Sequence, residues 1–109
     1  MTAAELQARL DLKILTMPDP EKEITGGYTG DLLSFVMGSA RSGDAWVTIM
    51  SNVNVVAVAT LTDVACVILS SDVTLDDGVA KRAEAQDVNV FSSSLPSFAL
   101  CQQIAELLK

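Results

Sequence analysis

Apolar positions along this chain fall into two alternating patterns, short continuous runs and longer runs at helical spacing. Residues 12–17 are apolar with one lysine, a strand's length, and Pro18-Asp19-Pro20 stops them with two fixed φ angles. Residues 45–50 are almost continuously apolar and rich in β-branched side chains, which predicts a central strand. Residues 65–69 and 88–91 predict two more buried strands, ending in Ser70-Ser71 and Ser92-Ser93-Ser94. Helical spacing fills the intervals. Thr2 and Glu5 have the capping-box separation ahead of Leu6 and Leu10. Asp31 is placed to cap a helix carrying Leu32, Leu33, Val36, Met37 and Ala40, which Gly43 closes. Thr74-Leu75-Asp76-Asp77 repeats a capping signature before Val79, Ala80 and Ala83. Pro96 fits the first turn of a last helix with Phe98, Cys101, Ile104, Ala105 and Leu108 on its buried face.

Strand following helix in this way implies right-handed βαβ units. The expected fold class is α/β, three-layer, with a largely parallel sheet covered by helices on both faces. Residues 53–61, capped by Ser51 or Asn52, stand out because they are apolar on two sides. Val53, Val56, Ala57, Thr60 and Leu61 form one side; Val55, Val58 and Ala59 form the other, with Thr62 continuing it. A helix apolar nearly all round must be covered nearly all round. The expectation is that one side packs on the sheet, while Val55, Val58, Ala59 and Thr62 meet a second copy in a homodimer.

The stretch Ile24-Thr25-Gly26-Gly27-Tyr28-Thr29-Gly30-Asp31 reads as strand, tight turn and helix cap. Thr25, Gly26 and Gly27 could offer backbone N–H groups to an anion, or could simply let two pieces of chain approach closely. Neither a phosphate-loop lysine motif nor a dinucleotide-binding glycine motif follows. Ser51, Asn52, Ser70, Ser71, Ser92 and Ser93 all follow predicted parallel strands. In open α/β sheets that edge is where ligands bind, so they are expected to line a site for a polar small molecule or nucleotide. Read singly, each is better explained as capping a helix or closing a turn, and only their convergence on one edge favours a site. Trp46 and Tyr28 are the aromatic candidates for stacking, although Trp46 at the head of an apolar strand also suits a core.

Charge and composition narrow the classes. The 109 residues suit one domain, residues 1–109, and half of them are hydrophobic, which favours association. Seven basic against fourteen acidic residues give a net charge of −7, a field that repels nucleic-acid phosphates and anionic lipid headgroups. Residues 53–69 approach membrane-spanning length, but Asn54, Thr60, Thr62 and Asp63 interrupt them. Met1-Thr2-Ala3-Ala4-Glu5 lacks the features of a signal peptide, so a cytoplasmic protein is expected. Cys66 and Cys101 sit in apolar runs and read as buried thiols. The chain has no histidine, so ordinary acid–base catalysis near neutral pH lacks its usual agent. Asp72, Asp76 and Asp77 lack calcium-loop spacing, and no cofactor or metal is expected.

Three segments, Glu21-Lys22-Glu23-Ile24-Thr25-Gly26-Gly27, Gly43-Asp44-Ala45-Trp46-Val47-Thr48-Ile49 and Asn54-Val55-Val56-Ala57-Val58-Ala59, resemble the DRTGG domain family. Glu21-Lys22 stands where the family has Asp-Arg, keeping the charge signs and losing the guanidinium fork. The resemblance implies a small α/β domain similar to the amino-terminal domain of HPr kinase. It also implies a regulatory module found alone or beside CBS domains and phosphotransacetylases, with no catalytic residues to assign. Together these readings favour a non-catalytic sensor that binds a polar metabolite or nucleotide and acts through a homodimer or a partner metabolic enzyme. A purely structural interaction module is the alternative, and an enzyme of phosphoryl or acyl transfer ranks last.

Overall fold

The alternation of strand and helix is realised in the computed structural model, which describes residues 1–109. In chain order the elements are α1 (Ala3–Arg9), β1 (Lys13–Thr16), β2 (Gly26–Thr29), α2 (Leu33–Ser39), β3 (Asp44–Thr48), α3 (Val53–Thr62), β4 (Cys66–Leu69), α4 (Asp77–Ala85), β5 (Val90–Ser92) and α5 (Ser97–Leu107). The strands form one sheet in the order β1-β5-β4-β3-β2. β2, β3, β4 and β5 run parallel, and β1 alone is antiparallel, against β5. The three inner strands are buried at every residue, which is why their sequences read as unbroken apolar runs instead of alternating ones.

Alternate residues of each inner strand feed two separate cores. On one face Ala45, Val47, Cys66, Ile68 and Phe91 pack with Ala3 and Leu6 of α1 and Leu100 and Ile104 of α5. On the other, Trp46, Val67, Leu69 and Val90 pack with Val36 of α2, Val55, Val56, Val58 and Ala59 of α3, and Ala83 of α4. The three-layer architecture expected from the sequence is therefore present. No helix is long and apolar enough to cross a membrane.

Four local expectations are corrected. Gly26-Gly27 is no turn: both residues lie in β2, in parallel register with Asp44 and Ala45. Asp31 does not cap α2, whose N-cap is Leu32 without a side-chain bond. Its carboxylate instead accepts hydrogen bonds at the end of β3, from Thr48 Oγ1 at 2.7 Å and Ile49 N at 3.0 Å. Phe98 projects from α5 into solvent, and α5 is anchored by Leu100 and Ile104. Most consequentially, the two expected sides of α3 do not divide between sheet and partner: Val56 of the first side is buried, and so are the residues of the second. Val55, Val58 and Ala59, expected at a dimer contact, are buried in this chain's own core, and the half-buried Thr62 turns its hydroxyl back onto Val58 O at 2.7 Å. Val53, Ala57, Thr60 and Leu61 face outward. A periodicity that is apolar throughout marks both faces equally, so it cannot say which one the sheet takes.

Candidate functional site

The glycine pair is required by what lies beside it. A Cβ on Gly26 would come within 2.8 Å of Asp44 Oδ1, and Gly43, at φ +85°, has its own Cα facing the Thr25 side chain. Thr25 N donates to Gly43 O at 2.9 Å, and the β2–β3 ladder continues from there. The Thr25-Gly26-Gly27 segment thus lies directly against the Ser42-Gly43-Asp44 turn that opens β3.

A polar cleft of about 420 Å³ opens at this junction. Its walls are Thr25, Gly26, Gly27 and Tyr28 from β2 and its approach, Ser39 from the end of α2, and Arg41, Ser42 and Asp44 from the turn into β3. Asp44 is only 8% exposed. Its Oδ2 accepts from Arg41 N at 2.8 Å, while Oδ1 receives no hydrogen bond from the protein. The Arg41 guanidinium forms no salt bridge. An acceptor oxygen, a free guanidinium and the hydroxyls of Thr25, Ser39 and Ser42 therefore share one concavity.

One flank of the cleft is tied down. Lys22 Nζ donates to Asp63 Oδ1, and Ser42 Oγ donates to Asp63 Oδ2 at 2.6 Å. These two bonds, with Lys22 the larger influence, hold the Asp63 carboxyl below the usual aspartate range. Lys22 thus fastens the approach to β2 onto the end of α3. It does not line the cleft.

The residues expected to form one site are divided between the two ends of the sheet. Thr25, Gly26 and Gly27 lie at the amino ends of β2 and β3, in the cleft. Ser51, Asn52, Ser70, Ser71, Ser92 and Ser93 lie at the opposite, carboxyl ends, and most of their polar groups are occupied. Asn52 caps α3 by accepting from Asn54 N at 3.0 Å. Ser70 and Ser97 share a hydrogen bond of 2.7 Å, Ser92 Oγ donates to Val73 O at 2.9 Å, and Ser93 Oγ accepts from Leu95 N at 3.1 Å. Ser71 N donates to Leu95 O at 2.8 Å from a left-handed backbone. The turn and cap reading of these residues accounts for their geometry.

Ser39, Arg41, Ser42 and Asp44 escaped the sequence reading as cleft residues. Gly43 reads in the sequence as the close of a helix and the strand as starting at residue 45, and only the parallel register Gly26↔Asp44 puts Asp44 against the glycines. Trp46 is fully buried, with Nε1 donating to Gly30 O at 2.9 Å, so its indole is not available for stacking. A second cleft, apolar and of about 430 Å³, lies on the other side of β2 between Tyr28, Val47 and the Cys101, Ile104 and Leu108 side of α5. Both cysteines are free thiols; burial pushes that of Cys66 up to about 12.

Fold and cleft together define a class, a largely parallel three-layer α/β domain with a polar concavity at one corner of its sheet. No family model matches the chain, and no curated protein is similar to it in sequence. Among solved structures it is similar to the CBS and DRTGG domains of the regulatory region of Clostridium perfringens pyrophosphatase, complexed with the activator diadenosine tetraphosphate. The TM-score is 0.70 at 12% identity, over 94% of this chain and 45% of that one. The chain thus spans less than half the length of this neighbour, and the likeness is one of fold.

Proposed function

We propose that the chain is a non-catalytic regulatory module of the DRTGG kind. On this reading its polar cleft at the amino ends of β2 and β3 binds an anionic small molecule, in the first instance a nucleotide, and its occupancy is passed to a partner enzyme or a second copy. The observation that carries the reading is that the unpaired Arg41 and the unbonded Asp44 Oδ1 belong to the lining of one cleft of about 420 Å³. Arginine matches phosphate oxygens, and a solvent-accessible carboxylate oxygen with no protein donor accepts from a sugar hydroxyl or base amine. The structural neighbour supports it, being a regulatory region complexed with a nucleotide activator.

Thermal shift against diadenosine tetraphosphate, ATP, AMP and inorganic phosphate tests the reading. Ligand bound only to the folded state adds about 2.7 kcal/mol at a hundredfold excess over Kd, which raises Tm visibly. Arg41→Ala should remove the shift and leave the ligand-free Tm unchanged, because the side chain supports nothing else. A flat response across the panel, or a shift that persists in Arg41→Ala, defeats this assignment of the cleft.

A further inference from the structure

Six large apolar side chains on and around α2 and α3 are exposed: Leu32, Phe35, Met37, Ile49, Val53 and Leu61. The two helices pack against each other, so their outward sides adjoin. Phe35 at 67% and Leu61 at 74% exposure are too open to serve the fold. Charge is absent from the two helices themselves and stands only at their ends, at Asp31, Arg41 and Asp63. The chain carries seven basic and fourteen acidic residues, yet none lies in α2, in α3 or anywhere in residues 45–62.

That segregation identifies the occupant. Two copies at net charge −7 repel each other over most orientations, and only a face without charge lets them meet without bringing carboxylates together. A two-fold contact sets a surface against itself, so it must be compatible with its own charge. A neutral face satisfies this, whereas a basic partner would be drawn to the acidic surfaces instead. Phenylalanine and methionine with charged residues depleted is also the composition of an interface centre. We infer that the outer face of α2 and α3, centred on Phe35 and Leu61, is the contact of a symmetric homodimer. It uses the side of α3 opposite to Val55, Val58 and Ala59, and it does not depend on ligand in the cleft.

Sedimentation velocity on the full chain provides the test. Wild type should sediment at twice 11.5 kDa. Phe35→Glu and Leu61→Glu should each sediment as single chains with unchanged far-UV circular dichroism, while Phe98→Glu, on a still more exposed apolar residue of α5, should remain dimeric. Amide exchange of wild type needs no substitution: raising the concentration should slow exchange in α2 and α3 and leave α5 unaffected. A single-chain mass at about 100 µM, or a dimer that survives both glutamates, overturns the inference.

Discussion

Asp31 shows how far a residue's chemistry can be legible while its use is not. An aspartate before a helical run is a capping candidate on local grounds, yet here the carboxylate reaches across to Thr48 Oγ1 and Ile49 N. It thereby fastens the β2–α2 connection to the end of β3. No local pattern marks that choice, because Thr48 and Ile49 are neighbours of Asp31 only once β2 and β3 pair. Replacing Asp31 with alanine should cost about 2–3 kcal/mol in urea unfolding, because it removes a charged acceptor and leaves the hydroxyl of the fully buried Thr48 without its partner. Trp46 goes the other way, since its apolar strand already suited a core. Trp46→Phe keeps an aromatic ring but loses the pyrrole half of the indole and its Nε1 bond to Gly30 O, so a destabilisation of about 1–3 kcal/mol is expected from the unpaired carbonyl and the lost volume. The cysteines separate by burial. Cys101 is half-buried and Cys66 sealed with its thiol raised to about 12, so a thiol reagent should modify Cys101 alone in the folded protein.

Elements were easier to read than their contacts. Four of the five helices began close to a visible cap or proline signal, and the inner strands announced themselves through unbroken apolar runs. The glycine-rich segment misled because two adjacent glycines suit a turn, whereas here they let β2 lie against Asp44. Two glycine substitutions separate these uses. Gly43→Ala must accept φ +85° with its methyl driven into Thr25 Oγ1, and should cost roughly 2–4 kcal/mol. Gly78→Ala lies in α4 with open space around it, and should gain about 0.5–1 kcal/mol from helix propensity. Equal effects at the two positions in urea unfolding would contradict the contact described at Gly43. The join between α3 and the approach to β2 has its own pH signature. Asp63 titrates lower when folded, so its contribution is complete above the unfolded carboxyl pKa and fades as pH falls through the folded value. Lys22→Met removes the main cause. The Tm gap between wild type and Lys22→Met should therefore be widest near neutral pH and close in acid, and a gap independent of pH would exclude the Lys22–Asp63 pair as its source.

At the scale of the molecule, the layer order was legible and the location of the polar cleft was not. Six of the nine residues expected at a site proved to lie at the far end of the sheet from the other three, because chain order shows that strands are parallel without showing which of their two ends is concave. The same sheet has a further consequence. Its inner strands send alternate side chains into two cores that share no residue, one under α1 and α5 and one under α2, α3 and α4. The molecule could unfold as two layers or as one body, and neighbouring strands carry a probe for each. Cys66 of β4 belongs to the first core and Trp46 of β3 to the second, and Cys66 is paired in register with Ala45, the residue before Trp46. Stripping α1 and α5 would expose Ala45, Cys66, Ile68 and Phe91 on the same strands that carry the second core, so losing one layer wets the sheet on which the other is built. A single transition is therefore expected, as for most domains of this size. In a Cys101→Ser background, pulse labelling of the Cys66 thiol across a urea series should trace the same curve as the red shift of Trp46 emission. Labelling that rises at lower urea than the emission shift would show the α1 and α5 layer leaving first, and the two cores would then be separate units of stability.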